Sequence, residues 1–184
     1  MLLEPIEKIE ITKDDITNLK INAIVNSATP DLLSVAGTNG KIHKVAGPKL
    51  KEECATLNGC MAGHAKITDG YDLPAKRVIH TVGPIYIDGK HSESVILTMC
   101  YKNCLKLLNL NGLESIAFPS ISSGDYGFPV EDACAIALRT VLDELEQYPK
   151  IKRVLFCCYT DKVYEAYQNE FAKLKKEYAK KNKK

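Results

Sequence analysis

The sequence predicts a single three-layer α/β/α domain on a mixed, mostly parallel sheet. Three observations predict it. The hydrophobic period switches repeatedly between two and about 3.6 residues, so strands and helices alternate along the chain. The length, 184 residues, is a little over one average domain, enough to bury a core without disulfides or metals. The composition, 45% hydrophobic and 26% charged, is globular and excludes disordered, collagen-like and coiled-coil chains.

Each element has its own signal. Ile9-Glu10-Ile11-Thr12 alternates like a half-buried strand, and Ile21 to Val25 reads as a buried strand ending at Asn26. Residues 39–56 read as one helix with Ile42, Val45, Ala46 and Leu50 on a common face. Ala65 to Thr68 and Arg77 to Val82 read as strands around the turn-rich stretch Asp69 to Pro74. A helix over Glu93 to Leu108 buries Leu97, Cys100, Tyr101, Cys104 and Leu105, and Asn111-Gly112 stops it. Ser115 to Phe118 is a short central strand. A small-residue loop runs from Pro119 to Phe128, and Pro129 opens a helix burying Val130, Cys134, Ala137, Val141 and Leu145. Val154 to Tyr159 is a further buried strand, and a last helix sets Val163, Tyr167, Phe171 and Leu174 on one side. The domain is expected to span 1–172, with 173–184 a basic, frayed tail.

The net charge of +2 conceals an asymmetry, because residues 173–184 hold seven Lys against one Glu and leave the rest of the chain acidic. Nucleic-acid contact by that tail is the weaker reading, since Tyr178 is its one aromatic residue. Seven cysteines, an odd number set largely in apolar stretches, point to reduced, buried thiols and to a cytoplasmic or nuclear protein. No leader and no membrane span is expected; the longest apolar run, Val154 to Tyr159, is far too short to cross a bilayer.

Several chemistries fail on spacing. A P-loop ending at Gly40-Lys41 has Val35 where a glycine is needed and Ile42 where a hydroxyl is needed. Ser120 to Gly124 lacks the leading glycine of a nucleophile elbow. Cys54, Cys60 and His64 have no second ligand pair, so no metal and no cofactor is expected. His80, inside a strand, reads as a core histidine. What remains is the loop from Ser120 to Pro129, leaving a strand and entering a helix. Successive amides there, with the helix N-terminus, make a concave anion site. Gly124 and Gly127 permit close backbone approach or positive φ, and Tyr126 offers a flat face to a sugar.

The phrases Asp14-Asp15-Ile16-Thr17, Ala23 to Ala28, Ile42 to Pro48, Ala65 to Thr68 with Gly70-Tyr71, Val78 to Pro84, and Ile116 to Pro129 together resemble the macro domain family in its MacroD-type branch. The similarity runs from about Ile9 to Phe171. It implies a cleft for ADP-ribose, with ADP-ribose or mono-ADP-ribosylated protein as partner; a monomer is expected. It also implies hydrolysis of ADP-ribosyl esters or of O-acetyl-ADP-ribose. By resemblance, Asp15 accepts from the adenine amino group with Ile16 beside it, Tyr159 lies against adenine, and Ser122, Ser123, Gly124, Asp125 and Tyr126 form the second phosphate loop. Asn26 matches the first Asn of the family's N-A-A-N, and Gly37 is the glycine left in the first loop. Three positions stand in the catalytic region. Thr29 replaces the second Asn, Asn39 replaces the catalytic Asp, and His43 matches the family histidine. Asn cannot accept a proton from water as Asp can. The expectation is therefore a binding module with weak or absent turnover, an active hydrolase being the alternative. Val35 and Ala36 add side chains beside the distal ribose, and the side chain of Asp125 is expected to point to solvent.

Overall fold

The computed structural model describes residues 3–34 and 36–181. Six strands, β1 (Ile9–Thr12), β2 (Ala23–Ser27), β3 (Ala65–Asp69), β4 (Arg77–Thr81), β5 (Ser115–Phe118) and β6 (Arg153–Cys157), form one sheet in the order β1-β6-β5-β2-β4-β3. Every pairing is parallel except β3 with β4. The mixed, mostly parallel sheet of the sequence reading is therefore the one observed.

Five helices cover it: α1 (Gly37–Ala46), α2 (Pro48–Thr56), α3 (Glu93–Leu110), α4 (Val130–Gln147) and α5 (Asp161–Lys181). Strand side chains alternate between faces, and the core divides accordingly. Val25, Ile79, Phe118 and Phe156 pack with Leu97, Leu138 and Phe171 of α3, α4 and α5. Ile24, Val78, Ala117 and Leu155 pack with Ile42, Leu50 and Cys54 of α1 and α2. Helices thus lie on both faces, giving three layers.

Two expectations need correction. The helix expected over 39–56 is two, because Gly47 has φ +81° and Pro48, with no N–H to give, begins the second. The lysine-rich stretch does not fray over its described part: α5 continues to Lys181. It is held by buried Leu174, by Arg139 on Glu177 at 3.0 Å, and by the Tyr178 hydroxyl donating to Glu4 at 3.0 Å. Lys183 and Lys184 lie outside the described residues, as does Val35.

The topology fixes where a ligand fits. β2 leads into α1 on one face, and β5, its neighbour, leads into α4 on the other. A crevice opens beyond the carboxyl ends of two parallel strands whose connections diverge in this way.

Candidate functional site

The crevice holds two chambers. The first, about 500 Å³, is walled by Asp14, Asp15, Ile16, Lys41, Val130, Tyr159 and Val163 among others. The second, about 240 Å³, is walled by Ala28, Thr29, Asn39, Ser122, Asp125 and Tyr126. Gly37, Thr38, Pro119, Ser120 and Gly124 line both and form the neck between them.

The neck lies between two chain segments rich in free amides. On one side α1 begins at Gly37 with no side chain capping it, so its first N–H groups and the positive end of its dipole face outward. On the other is the loop from Pro119 to Phe128. Four of its carbonyls accept hydrogen bonds, three from within the loop and one from Tyr86. Ser123 Oγ donates to Ser120 O at 3.1 Å, Phe128 N to Ser122 O at 2.9 Å, Gly127 N to Gly124 O at 2.9 Å, and Tyr86 N to Tyr126 O at 2.8 Å. A loop tied in this way can offer its remaining amides to an anion. Gly127 does take positive φ (+70°), but the second strained position is Ser122 (+63°), not Gly124. Gly124 serves differently, since a Cβ there would meet nothing within 4 Å and would project into open space.

At the far end of the first chamber Asp15 caps a short 3-10 turn (Ile16–Asn18). Its Oδ1 accepts from the Thr17 N–H at 3.0 Å and hydroxyl at 2.7 Å. Its Oδ2 lies 2.6 Å from Lys41 Nζ. Burial favours the neutral form of Asp15, but the donors from Lys41 and Thr17 outweigh it and hold the carboxyl below the usual carboxylate range. Tyr159 is 78% exposed, and the Lys41 ammonium stands 5.2 Å from its ring centroid. Ile16 is buried against this end. The chamber thus offers a charged acceptor, an apolar floor and an open aromatic face, which suits a flat heterocycle with an amino edge.

The second chamber is different. The Thr29 hydroxyl donates to Asp31 Oδ1 at 2.6 Å, and Asp31 is held far below the usual carboxylate range by donors from Thr29, Ser34 and Leu33. Asn39 is buried; its Oδ1 accepts from Asn26 Nδ2 at 2.7 Å and its Nδ2 donates to the Ser34 carbonyl. Tyr126 and Asp125 are on the wall, and the Asp125 residue is exposed.

The scan against family models matches the macro domain over residues 25–137. The chain belongs to the macro domain family. It is 51% identical over 164 residues to a macro domain-containing protein, CT2219, of Chlorobaculum tepidum, covering 89% of this chain and 95% of that one. It is 50% identical over 172 residues to human ADP-ribose glycohydrolase MACROD2, covering 90% of this chain but only 40% of that longer protein. These relatives, with an O-acetyl-ADP-ribose deacetylase of an Enterobacter strain that is 44% identical, support the MacroD-type branch. Among solved structures, the Oceanobacillus iheyensis macrodomain with ADP superimposes with a TM-score of 0.86 at 36% identity, covering 92% of each chain. The Trypanosoma brucei macrodomain in complex with ADP-ribose does so with 0.84 at 38%, covering 91% of this chain and 73% of that one.

In this macro domain the cleft gathers most of the residues singled out by sequence. Asp15, Ile16, Gly37, Ser123, Gly124 and Tyr159 line the first chamber, and Thr29, Asn39, Ser122, Asp125 and Tyr126 the second. Two residues expected at the ligand lie behind it. Asn26 is fully buried and donates to Asn39. His43 lines neither chamber; both of its ring nitrogens are buried, and burial followed by Lys51 depresses its pKa. It is 8% exposed on α1, its ring centroid 6.4 Å from that of His80. Lys41 was missed. It is one of several surface-looking lysines in sequence, and only the approach of α1 to the turn after β1 brings it to Asp15.

Proposed function

We propose that this macro domain binds ADP-ribose, free or attached to protein, and hydrolyses it weakly or not at all. The adenine enters the first chamber between Ile16 and Tyr159 with its amino group on Asp15. The diphosphate crosses the neck, between the start of α1 and the amides around Ser123 and Gly124. The distal ribose reaches the second chamber beside Tyr126 and Asn39. One observation carries the reading: a carboxylate-and-ring chamber joined to a smaller polar one through a neck flanked by a helix N-terminus and a glycine-bearing loop. Solved relatives with ADP and ADP-ribose support it.

The weak turnover follows from Asn39 and Thr29. Hydrolysis at the distal ribose needs water oriented and relieved of a proton. The Asn39 amide has no basic atom, and both its polar atoms are already engaged. The Thr29 hydroxyl proton is spent on Asp31. Losing such orienting groups typically costs orders of magnitude in rate. The second reading, an active hydrolase, draws on the relatives named as glycohydrolase and deacetylase. The substrate's own phosphate could then serve as the base.

Two measurements test this. Calorimetric titration with ADP-ribose is expected to give saturable heat, lost on Gly124→Glu, which fills the open space over the neck with bulk and negative charge. Heat absent from the wild type refutes binding. Incubation with an auto-modified ADP-ribosyltransferase is expected to release little label, and rapid release establishes the hydrolase instead.

A further inference from the structure

At the outer end of the first chamber three side chains from separate elements meet: Asp15 after β1, Lys41 of α1 and Tyr159 after β6. Asp15 Oδ1 is occupied by two donors from Thr17, so Oδ2 is the oxygen left for a ligand. Beside it, at 2.6 Å, stands the Lys41 ammonium, with the Tyr159 ring 5.2 Å away. The chamber wall therefore presents an acceptor and a donor next to one another.

A carboxylate alone selects among purines. It accepts from a 6-amino group but faces a 6-oxo group acceptor to acceptor. An ammonium carries three N–H donors; with one directed at Asp15, others remain for the ligand. Its unbranched four-carbon stem lets it stand on either side of Oδ2. The six-membered edges of the two purine types are mirror patterns: adenine has a donor at position 6 and an acceptor at N1, and hypoxanthine has an acceptor at position 6 and a donor at N1. Resting on the reading that a purine occupies this chamber, we propose that Asp15 and Lys41 act as a two-way reader of purine nucleotides. Asp15 takes the 6-amino group while Lys41 stays on Oδ2 and makes no bond to the base, or Lys41 donates to the 6-oxo group while Asp15 takes the N1 proton. The site then accepts hypoxanthine nucleoside diphosphates alongside adenine ones, and Lys41 is the residue that sets this breadth.

The test is a calorimetric comparison of ADP and IDP on the full-length wild type, Lys41→Met and Lys41→Arg, with ADP-ribose as the reference ligand for each. In the wild type the dissociation constant for IDP is expected to lie within about ten-fold of that for ADP. A hydrogen bond to a charged group is worth about a factor of ten or more, so Lys41→Met should raise the IDP-to-ADP ratio by about that factor, and Lys41→Arg should bring it back down. A wild-type ratio above about ten, or a ratio that Lys41→Met leaves in place, overturns the proposal. Absence of heat from ADP-ribose itself is a separate result: it removes the binding reading on which the proposal rests.

Discussion

Asn39 accepts from Asn26 through Oδ1 and donates to the Ser34 carbonyl through Nδ2, so the amide closes the loop that leads from β2 into α1. A carboxylate could keep the first bond but would set an oxygen against the Ser34 carbonyl. Asn39→Asp is therefore expected to lower stability by about 2 kcal/mol at neutral pH, the cost of a lost buried donor. Urea denaturation of the pair checks it, and equal midpoints contradict it. Beneath Asn39, Asn26 Nδ2 also lies 3.1 Å from His80 Nδ1, and His80 Nε2 lies 2.9 Å from Thr68 Oγ1. The Asn26 donor fixes the neutral ring with its proton on Nε2. Burial, then the neighbouring His43, pushes the His80 pKa down from 6.5 to about 3. The unfolded chain thus binds a proton that the native one refuses. Stability is full above pH 6.5 and falls as pH drops toward 3. Between pH 7 and 5 this one ring is expected to cost about 2 kcal/mol. Denaturation at the two pH values measures the loss, and an unchanged midpoint contradicts the buried neutral ring. At this scale the substitutions at Thr29 and Asn39 were legible in sequence because they sit inside recognisable phrases. What their atoms bond was not, since Asp31, Ser34 and Asn26 reach them only in the folded loop.

The loop after β5 owes its shape to a neighbour that sequence pattern does not expose. Gly83, following β4, packs so closely that a Cβ there would overlap Ser122 Oγ and come within 2.8 Å of Ile121 Cγ2. Gly83→Ala is expected to push this loop outward, costing about 1–3 kcal/mol by overpacking and weakening ADP-ribose binding. Calorimetry and a melting curve on the variant read both effects, and wild-type values in both remove the contact's importance. A second anchor is Glu93 at the start of α3, whose Oε1 accepts from the amides of Ile87, Asp88 and Gly89 and whose Oε2 accepts from His91. It ties down the segment whose Tyr86 amide holds Tyr126. Strand and helix identities followed chiefly from hydrophobic period, with glycine and proline signals marking several ends. Breaks did not: Val45 extends the apolar stripe of 39–56 toward Leu50, yet it is 37% exposed because Gly47-Pro48 turns the chain there. The positive φ falls on Ser122 rather than Gly124, at the position packed against Gly83, a contact that residue type does not reveal.

Across the whole molecule, the diverging connections of β2 and β5 create the cleft, and the helices on both faces only support it. Alternating periods made the three layers readable. The stripe of Tyr167, Phe171 and Leu174 was readable too, but the seven lysines from 173 onward set the expected end of the domain at 172, short of Leu174 and Tyr178, which pack with the core. Leu174 is 5% exposed. Truncation after Ala172 is accordingly expected to destabilise the domain by about 2–3 kcal/mol, chiefly through that leucine, with the surface pair of Arg139 and Glu177 adding little. A truncated chain with an unchanged denaturation midpoint would return these residues to the status of a frayed tail. The most direct measurement of the account is a crystal structure of the chain grown with ADP-ribose. The account predicts adenine against Tyr159 with its amino group on Asp15, the diphosphate between Gly37 and Gly124, and the distal ribose beside Asn39 and Tyr126. Nucleotide density elsewhere on the molecule, or a diphosphate away from both α1 and the β5–α4 loop, contradicts it.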